Sequence, residues 1–259
     1  MTEPSVRDLF NLAGRVALVT GGSKGLGRSI ALGLAEAGAA TVLVSRHAEE
    51  AAAAAAGIAA ATGQASRGLA ADVTREEEVT RTVDAVLKEH GRLDILVNSA
   101  GINIRHPIEE YPPAEFQQVI ETNLTGTWLC CRAVSRVMKE LHRGSVINIG
   151  SALSAVGLAE RTAYTAAKAG VLGLTRTLAL EWAAAGVRCN AICPGPFLTE
   201  MNQPLLKTPV KAKAVLELTA FNRWADLHEI RGAAVFLASD AASYVTGAAL
   251  YVDGGWTAK

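Results

Sequence analysis

The sequence predicts a doubly wound α/β fold, in which a parallel sheet carries helices on both faces. Short runs that are almost entirely apolar alternate along the chain with longer segments of helical pattern. Strands of that composition are typical of parallel sheets that are buried on both faces. No linker or shift in composition divides the 259 residues. We therefore expect one domain that spans residues 1–259.

Seven apolar runs have the length and composition of buried strands. The first, RVALVTGG, is bounded by glycines, and the sixth, VRCNAICPG, ends on a proline and a glycine. Seven such runs predict a seven-stranded sheet. In chain order they occupy residues 15–22, 40–46, 66–74, 93–101, 144–151, 187–195 and 248–255.

Helical segments separate these strands. The helix after the first strand is predicted to end at Gly38, because glycine commonly ends a helix. The alanine-rich segment that follows the second strand is predicted to be helical, because alanine favours helix. One long helix is predicted from Pro113 to Leu141. The segments cover residues 29–38, 48–63, 75–91, 113–141, 163–186 and 228–240.

Residues 196–222 interrupt this alternation with three prolines and one short helical stretch. An irregular insertion of this length after a strand is often functional. We expect it to form a lid over a substrate site.

Composition excludes several classes of function. Half of the residues are hydrophobic and the formal net charge is zero, with no basic run, which argues against a partner that is nucleic acid or an anionic membrane. The N-terminus lacks the apolar core of a secretory signal, and we expect no membrane span and a cytoplasmic protein. The four cysteines lack zinc-site spacing and are expected to be reduced, packed thiols, with no metal site; they are Cys130, Cys131, Cys189 and Cys193.

A glycine-rich segment, VTGGSKGLGRSIA at residues 19–31, follows the first strand and opens a helix. Gly21, Gly25 and Gly27 allow a tight turn and a close backbone approach, and the helix N-terminus offers N–H groups to a pyrophosphate. Its position favours a dinucleotide site over an ordinary turn. It is not a kinase-type P-loop, because Lys24 is followed by glycine.

The end of the second strand favours NADP(H) over NAD(H). An acidic residue there would bind the adenosine ribose 2′-hydroxyl and repel a 2′-phosphate, but the strand ends with Ser45 and Arg46. Arg46 could contact a phosphate through its planar guanidinium, and Lys24 could add a second positive charge. The alternative is that both cations are solvated surface residues.

AYTAAK, at residues 163–168, places Tyr164 and Lys168 one helical turn apart, on the same face. Unperturbed tyrosine has a pKa of about 10 and is a poor acid at neutral pH. A neighbouring ammonium favours the phenolate, so we expect Lys168 to lower the pKa of Tyr164. The pair is then suited to general acid–base catalysis.

Several motifs in register resemble those of the short-chain dehydrogenase/reductase family, in its compact single-domain branch. They are TGGSKGLG at 20–27, NSAG at 98–101, TNLTG around Asn123, Ser151 at a strand end, Tyr164 with Lys168, and PG at 194–195. The resemblance extends from Leu12 to Trp256. It implies a Rossmann-type sheet and hydride transfer between a nicotinamide and a ketone or secondary alcohol.

The resemblance also implies roles for individual residues. Tyr164 would pass the proton, Lys168 would also hold the nicotinamide ribose, Ser151 would hydrogen-bond the substrate oxygen, and Asn123 would help to hold a water next to Lys168. Ser99 stands where the family usually has a second asparagine, which could alter one hydrogen bond. Together with the residues argued above from the glycine segment and the end of the second strand, the expected cofactor contacts are Gly21, Ser23, Lys24, Gly25, Leu26, Gly27, Ser45, Arg46, Asp72, Val73, Asn98, Ala100, Gly101, Tyr164, Lys168, Pro194, Gly195, Phe197 and Thr199.

The substrate is less sharply indicated. The segments AGINIRHPIEEYP and ETNLTGTW and the C-terminal FLASDAASYVTGAALYVDGGWTA are similar to those of gluconate 5-dehydrogenases, which interconvert sugar acids and keto-sugar acids. Arg105 could pair with a substrate carboxylate or could lie on the surface. Leu153 belongs to a mostly small and apolar stretch, 151–161, which suits a less polar ketone equally well.

Three alternatives remain open at this point. A 3-oxoacyl-[acyl-carrier-protein] reductase has the same core motifs but should have basic surface near the site. A non-catalytic NADP-binding protein would not need Ser151, Tyr164 and Lys168 intact. Epimerases and dehydratases of the longer relatives usually carry an added substrate domain. The resemblance further implies a homotetramer that pairs the long helices and the last helix and strand.

Overall fold

The seven predicted strands form one parallel sheet, in the order β3-β2-β1-β4-β5-β6-β7, which confirms the predicted fold class. The computed structural model describes residues 3–258, with Pro204 described by its backbone alone. The order reverses between β1 and β4, where a crevice opens at the strand ends. The strands are β1 Val16–Thr20, β2 Ala40–Ser45, β3 Ser66–Ala70, β4 Ile95–Asn98, β5 Gly144–Ile149, β6 Val187–Pro194 and β7 Ala249–Val252.

Helices cover both faces of the sheet. Those that follow β1 and β2, together with the last helix, pack on one face, and those that follow β3, β4 and β5 pack on the other. The helices are α1 Val6–Leu9, α2 Gly25–Glu36, α3 Ala48–Thr62, α4 Glu76–His90, α5 Pro113–Ile120, α6 Gly126–Glu140, α7 Thr162–Trp182, α8 Gln203–Leu206, α9 Pro209–Leu216 and α10 Arg231–Ala238.

The apolar strands serve two cores because successive side chains point to opposite faces. In β1, Ala17 and Val19 pack against α2 and α10, whereas Val16 and Leu18 pack against the helices of the other face. A strand that must be apolar on both sides has no polar alternation. This is why the strand runs of the sequence are almost entirely hydrophobic.

The structure differs from the sequence-based expectation in three local details. The long helix that was expected from Pro113 to Leu141 contains a π-helical turn, Glu121–Thr125, and ends at Glu140. The third strand ends at Ala70, so Asp72 and Val73 lie in the turn beyond it. The expected lid at 196–222 contains two short helices, α8 and α9, rather than one.

All four cysteines are buried free thiols, as expected. Burial raises the pKa of Cys130 and Cys189 to about 12 and that of Cys193 to about 11, so they remain protonated and act as small apolar groups. Within residues 3–258, no helix combines the length and the apolar character that crossing a membrane requires.

Candidate active site

One cavity of about 720 Å³ lies at the carboxyl ends of the strands. Open α/β sheets bind ligands at this edge, next to the point where the strand order reverses. Most of the residues that the sequence singled out line it. They are Gly21, Ser23, Lys24, Gly25, Leu26, Gly27, Ser45, Arg46, Asp72, Val73, Ala100, Gly101, Arg105, Ser151, Leu153, Tyr164, Lys168, Pro194, Gly195, Phe197 and Thr199.

The glycine segment leaves no room for side chains where the chain turns from β1 into α2. A Cβ on Gly27 would lie 2.2 Å from the carbonyl oxygen of Gly21, and one on Gly21 would lie 2.8 Å from the backbone of Ala100. Gly21 also has a φ of +63°, in the left-handed region. The first turn of α2 has no side-chain cap from Lys24, so its N–H groups face the cavity free to bind a pyrophosphate.

Two cations stand at the adenosine end of the cavity, beside the end of β2. Arg46 is exposed to solvent, and Lys24 Nζ lies 3.8 Å from Oε2 of Glu50. The same carboxylate oxygen accepts a hydrogen bond of 3.3 Å from Ser23 Oγ. Glu50, in the first turn of α3, also lines the cavity, and sequence reasoning missed it because it lies five residues beyond the end of β2.

The turn after β3 forms another wall of the cavity. Asp72 Oδ1 accepts hydrogen bonds from the backbone N–H and the hydroxyl of Thr74, at 2.9 and 2.8 Å. The backbone N–H of Asp72 donates to Glu78 Oε2 at 2.8 Å. The carboxylates of Asp72 and Glu78 therefore fix the turn that brings Val73 to the cavity wall.

Ser151, Tyr164 and Lys168 meet where β5 and α7 approach each other. Lys168 is 4 % exposed, and its Nζ donates to the carbonyl oxygen of Ile149 at 2.7 Å and lies 5.7 Å from the ring centroid of Tyr164. Ser154 Oγ accepts from the N–H of Ser151 and donates to the carbonyl oxygen of Lys168. The strand end and the helix are thus held in a fixed relation.

The pKa of Tyr164 differs from the sequence-based expectation. Burial of the phenol raises its pKa above 10, against smaller lowering effects from the hydrogen bond with Ser151 and from the charges of Arg105 and Arg161. Lys168 is not among the groups that shift this pKa. Its ammonium donates to the carbonyl oxygen of Ile149, and burial lowers the pKa of Lys168 itself to about 8. Tyr164 is therefore protonated at neutral pH, the state that a proton donor requires.

Two asparagines of the predicted set lie outside the cavity lining. Asn123, fully buried in the π-helical turn, accepts from the N–H of Ile102 at 2.8 Å and donates to its carbonyl oxygen at 2.9 Å. Asn98 turns into the sheet and donates to Asn148 Oδ1 at 2.9 Å. Asn123 thus fixes the backbone that follows β4, and the side chain of Asn98 braces β4 against β5.

Ser99, the departure from the usual asparagine, lines the cavity below α2. Its backbone N–H donates to Thr20 Oγ1 at 3.2 Å, and its hydroxyl would lie 3.2 Å from a Cβ on Gly27. The small side chain therefore fits the close approach of the glycine segment to β4.

Two arginines whose charges act on Tyr164 also line the cavity. Arg105 Nη2 donates to the carbonyl oxygen of Met201 in the expected lid at 3.1 Å, and its Nε is buried without a partner among residues 3–258. Arg161 is 6 % exposed and donates to the carbonyl oxygen of Glu160 at 3.0 Å. Sequence reasoning missed Arg161 by treating 151–161 as small and apolar; its charge three residues before Tyr164 was the available signal.

The short-chain dehydrogenase family model adh_short_C2, described as enoyl-(acyl carrier protein) reductase, matches residues 21–257. The chain belongs to the short-chain dehydrogenase/reductase family. This short-chain dehydrogenase/reductase is 43% identical over 257 residues to a D-threitol dehydrogenase of Mycolicibacterium smegmatis, covering 99% of this chain and 98% of the relative. It is 41% identical over 246 residues to a 3-oxoacyl-[acyl-carrier-protein] reductase of Vibrio harveyi, covering 95% of this chain and 98% of the relative.

A solved structure also matches this short-chain dehydrogenase/reductase over nearly its whole length. A gluconate 5-dehydrogenase from Burkholderia cenocepacia, solved in complex with NADP and tartrate, superposes with a TM-score of 0.95 at 37% identity. The match covers 98% of this chain and all of that one. The family resemblance that the motifs carry is thereby confirmed, and so is the assignment to oxidoreductases that act on CH–OH groups.

Proposed function

We propose that this chain transfers a hydride, reversibly, between NADP(H) and the ketone or secondary alcohol of a small keto-sugar acid, such as 5-ketogluconate. One observation carries the proposal. A single cavity joins a glycine segment flanked by two cations, the group Ser151, Tyr164 and Lys168, and the partly buried guanidinium of Arg105.

The arrangement of side chains supports proton transfer at the reacting oxygen. When bound, the nicotinamide supplies the hydride in the reducing direction. Tyr164 holds the proton that passes to the carbonyl oxygen. Ser151 Oγ accepts a hydrogen bond from the N–H of Leu153 at 3.1 Å, and its own hydroxyl donates a hydrogen bond to that same carbonyl oxygen. Lys168 stabilises the phenolate that the transfer leaves behind.

Asn123 contributes to this site through the backbone. Its two hydrogen bonds to Ile102 hold the segment that leads from Gly101 to Arg105. Asn123 is therefore a positioning residue in this proposal. We expect its replacement to disturb Gly101 and Arg105 together.

The preference for NADP(H) rests on charge at the adenosine end of the cavity. Arg46 and Lys24 both line that end and would pair with a 2′-phosphate. The Burkholderia relative was solved with NADP, which supports the same choice here. Glu50 works against it, because its carboxylate lies 3.8 Å from Lys24 Nζ.

The choice of a keto-sugar acid rests on Arg105 and on the relatives. The guanidinium of Arg105 can bind a carboxylate, and the Burkholderia relative is a gluconate 5-dehydrogenase. The D-threitol dehydrogenase relative favours a neutral polyol as the second candidate. The Vibrio relative keeps an acyl thioester among the compounds to be tested.

Initial rates of NADPH oxidation test the proposal directly. We expect kcat/KM for 5-ketogluconate to exceed that for a neutral diketone and for acetoacetyl thioester, and NADP reduction to be faster with gluconate than with D-threitol. A thioester preference would replace the proposed substrate with an acyl chain. A D-threitol preference would replace it with a neutral polyol.

A further inference from the structure

Arg161 is a buried cation whose charge is only weakly compensated by a neighbouring carboxylate. Its side chain is 7 % exposed, and Nη1 lies 3.8 Å from the carboxylate of Glu160. That carboxylate is 39 % exposed and is shared with Lys211, whose Nζ lies 3.4 Å away. Among residues 3–258, no other carboxylate lies within 4.0 Å of the Arg161 guanidinium. Because burying an uncompensated charge is costly, such a group usually serves a partner.

Arg105 adds a second positive charge in the same cavity wall. Both guanidinium pKa values are lowered, first by burial, and that of Arg161 to about 10, with the charge of Arg105 as the next cause. Like charges held together in a partly buried site repel each other. An anion between them would offset both the repulsion and the loss of hydration.

Two residues that line this part of the cavity carry polar atoms that are buried and unpartnered. Arg105 Nε is a buried donor without an acceptor, and Asn103 Oδ1 is a buried acceptor without a donor, within the described residues. Arg105, Asn103 and Arg161 all line the cavity that Tyr164 closes on its other side. A ligand with an anionic group would compensate the charges of the two guanidinium groups, and a hydroxyl on it could donate to the amide of Asn103.

We propose that Arg161 and Arg105 together form a subsite for the carboxylate of the substrate, with Arg161 as a specificity-determining residue and Asn103 accepting from a neighbouring hydroxyl. The inference rests on the proposed function, in which Tyr164 acts on a keto-sugar acid. A carboxylate suits two guanidinium groups because its two oxygens can accept from both. A phosphate has the same acceptor chemistry, so the experiment includes one.

Steady-state kinetics of Arg161→Gln and Arg105→Gln, with Arg161→Lys as the charge-conserving variant, test the subsite. The substrates are 5-ketogluconate, a neutral diketone and a ketose phosphate. We expect each Gln variant to lose roughly 10- to 100-fold in kcat/KM for the acid, chiefly through KM, as removal of a charged hydrogen-bond partner predicts. The diketone rates should stay within about threefold of wild type, and Arg161→Lys should recover part of the loss.

Exposed Arg81 on α4 provides the control, since Arg81→Gln makes the same change of charge outside the cavity. A second readout needs no turnover: tartrate, a dicarboxylate, should raise the melting temperature of the wild type and of Arg81→Gln, but not of Arg161→Gln. If Arg161 is only structural, its Gln variant will lose acid and diketone reduction equally, and tartrate will still stabilise it. That result overturns the inference.

The outcomes separate this inference from the proposed function. If the wild type does not prefer the acid to the diketone, the proposed substrate is wrong and the subsite falls with it. If the wild type prefers the acid and both Gln variants keep that preference, the proposed function stands and the subsite is wrong. A wild-type preference for the ketose phosphate that Arg161→Gln abolishes would replace the carboxylate with a phosphate.

Discussion

At the scale of single residues, burial is the largest influence on the pKa values of Tyr164 and Lys168, the two residues that the sequence places on one helical face. Burial raises the pKa of Tyr164 and lowers that of Lys168, because both charged forms lose hydration. The sequence supports the pair by its spacing, but spacing does not reveal how much water reaches either group. The proposed catalysis therefore depends on a protonated phenol and on a cation that is still charged at neutral pH.

The buried ammonium makes stability depend on pH. Burial lowers the pKa of Lys168 from 10.5 to about 8, so between pH 8 and 10.5 the unfolded chain holds a proton that the folded protein has released. Over that window this group makes the free energy of unfolding rise with pH. We expect the wild type to gain stability relative to Lys168→Met between pH 7.5 and pH 10 in urea unfolding. A difference that does not change with pH would contradict this.

Arg46 should decide between the two nicotinamide cofactors. Removing its guanidinium in Arg46→Ala should lower kcat/KM for NADPH by roughly 10- to 100-fold and leave that for NADH nearly unchanged, because only NADPH has a 2′-phosphate. Arg81→Ala is the matched control on α4. The account of cofactor preference fails if NADH equals or exceeds NADPH and Arg46→Ala changes neither.

The difference between Tyr164 and Arg161 shows how much of the site the sequence could predict. Tyr164 and Lys168 are recognised by their local spacing, and Ser151 by its place at the end of a strand. Arg161 becomes part of the site only because the fold buries it in the same cavity wall as Arg105. The charge of Arg161, three residues before Tyr164, is visible in the sequence, but its burial is not.

At the scale of elements, the glycine segment between β1 and α2 is the tightest part of the site. A Cβ at position 27 would meet the carbonyl oxygen of Gly21 at 2.2 Å, whereas Gly57, on the exposed side of α3, has only the flexible end of Arg28 at 3.5 Å. The two glycines lie in helices on the same face of the sheet. They therefore differ mainly in the space available.

This contrast predicts opposite effects of the same substitution. Gly27→Ala should destabilise the protein by about 1–3 kcal/mol through overpacking and abolish NADP binding by displacing the segment. Gly57→Ala should stabilise it by about 0.5–1 kcal/mol, the gain of alanine over glycine in a helix. Thermal melting and cofactor titration measure both. A Gly27→Ala protein that melts and binds like the wild type would contradict the close approach.

The π-helical turn at Glu121–Thr125 could not be predicted from periodicity. The apolar pattern of 113–141 continues across it, so the sequence indicates one helix. The turn places Asn123 where its amide meets both backbone groups of Ile102. That requirement comes from a loop 21 residues earlier in the chain, and π-helical turns often occur at functional sites for such reasons.

At the scale of the whole molecule, the fold class follows from rules that the sequence alone can supply, whereas the strand order is given by the structure. Apolar strands joined by helices must run parallel, and right-handed crossovers place them in a doubly wound sheet. Which side chains stay exposed on the surface is less predictable, because that depends on what packs over them. Exposed apolar residues on α5, α6 and α7 are an example; they include Phe116, Trp128 and Leu180, the last 82% exposed.

These residues support the homotetramer that the family resemblance implies. We expect light scattering to give four times the chain mass of 27.0 kDa. Trp128→Glu should lower that mass by placing a charge on the exposed face of α6, in the long helix that the resemblance assigns to the interface. Ala56→Glu, on the exposed face of α3, should leave it unchanged. A wild-type mass of one chain would contradict the tetramer, and an unchanged mass for Trp128→Glu would exclude this face.

The measurement that tests the central claim most directly is the reduction of 5-ketogluconate and of a neutral diketone by Tyr164→Phe, compared with Tyr244→Phe on the exposed surface. The substitution removes one hydroxyl and leaves the cavity intact. The account predicts that kcat falls at least about 100-fold for both substrates, as the loss of a general acid implies, while NADPH still binds. Activity within tenfold of wild type would contradict it, because Tyr164 would then not be the proton donor.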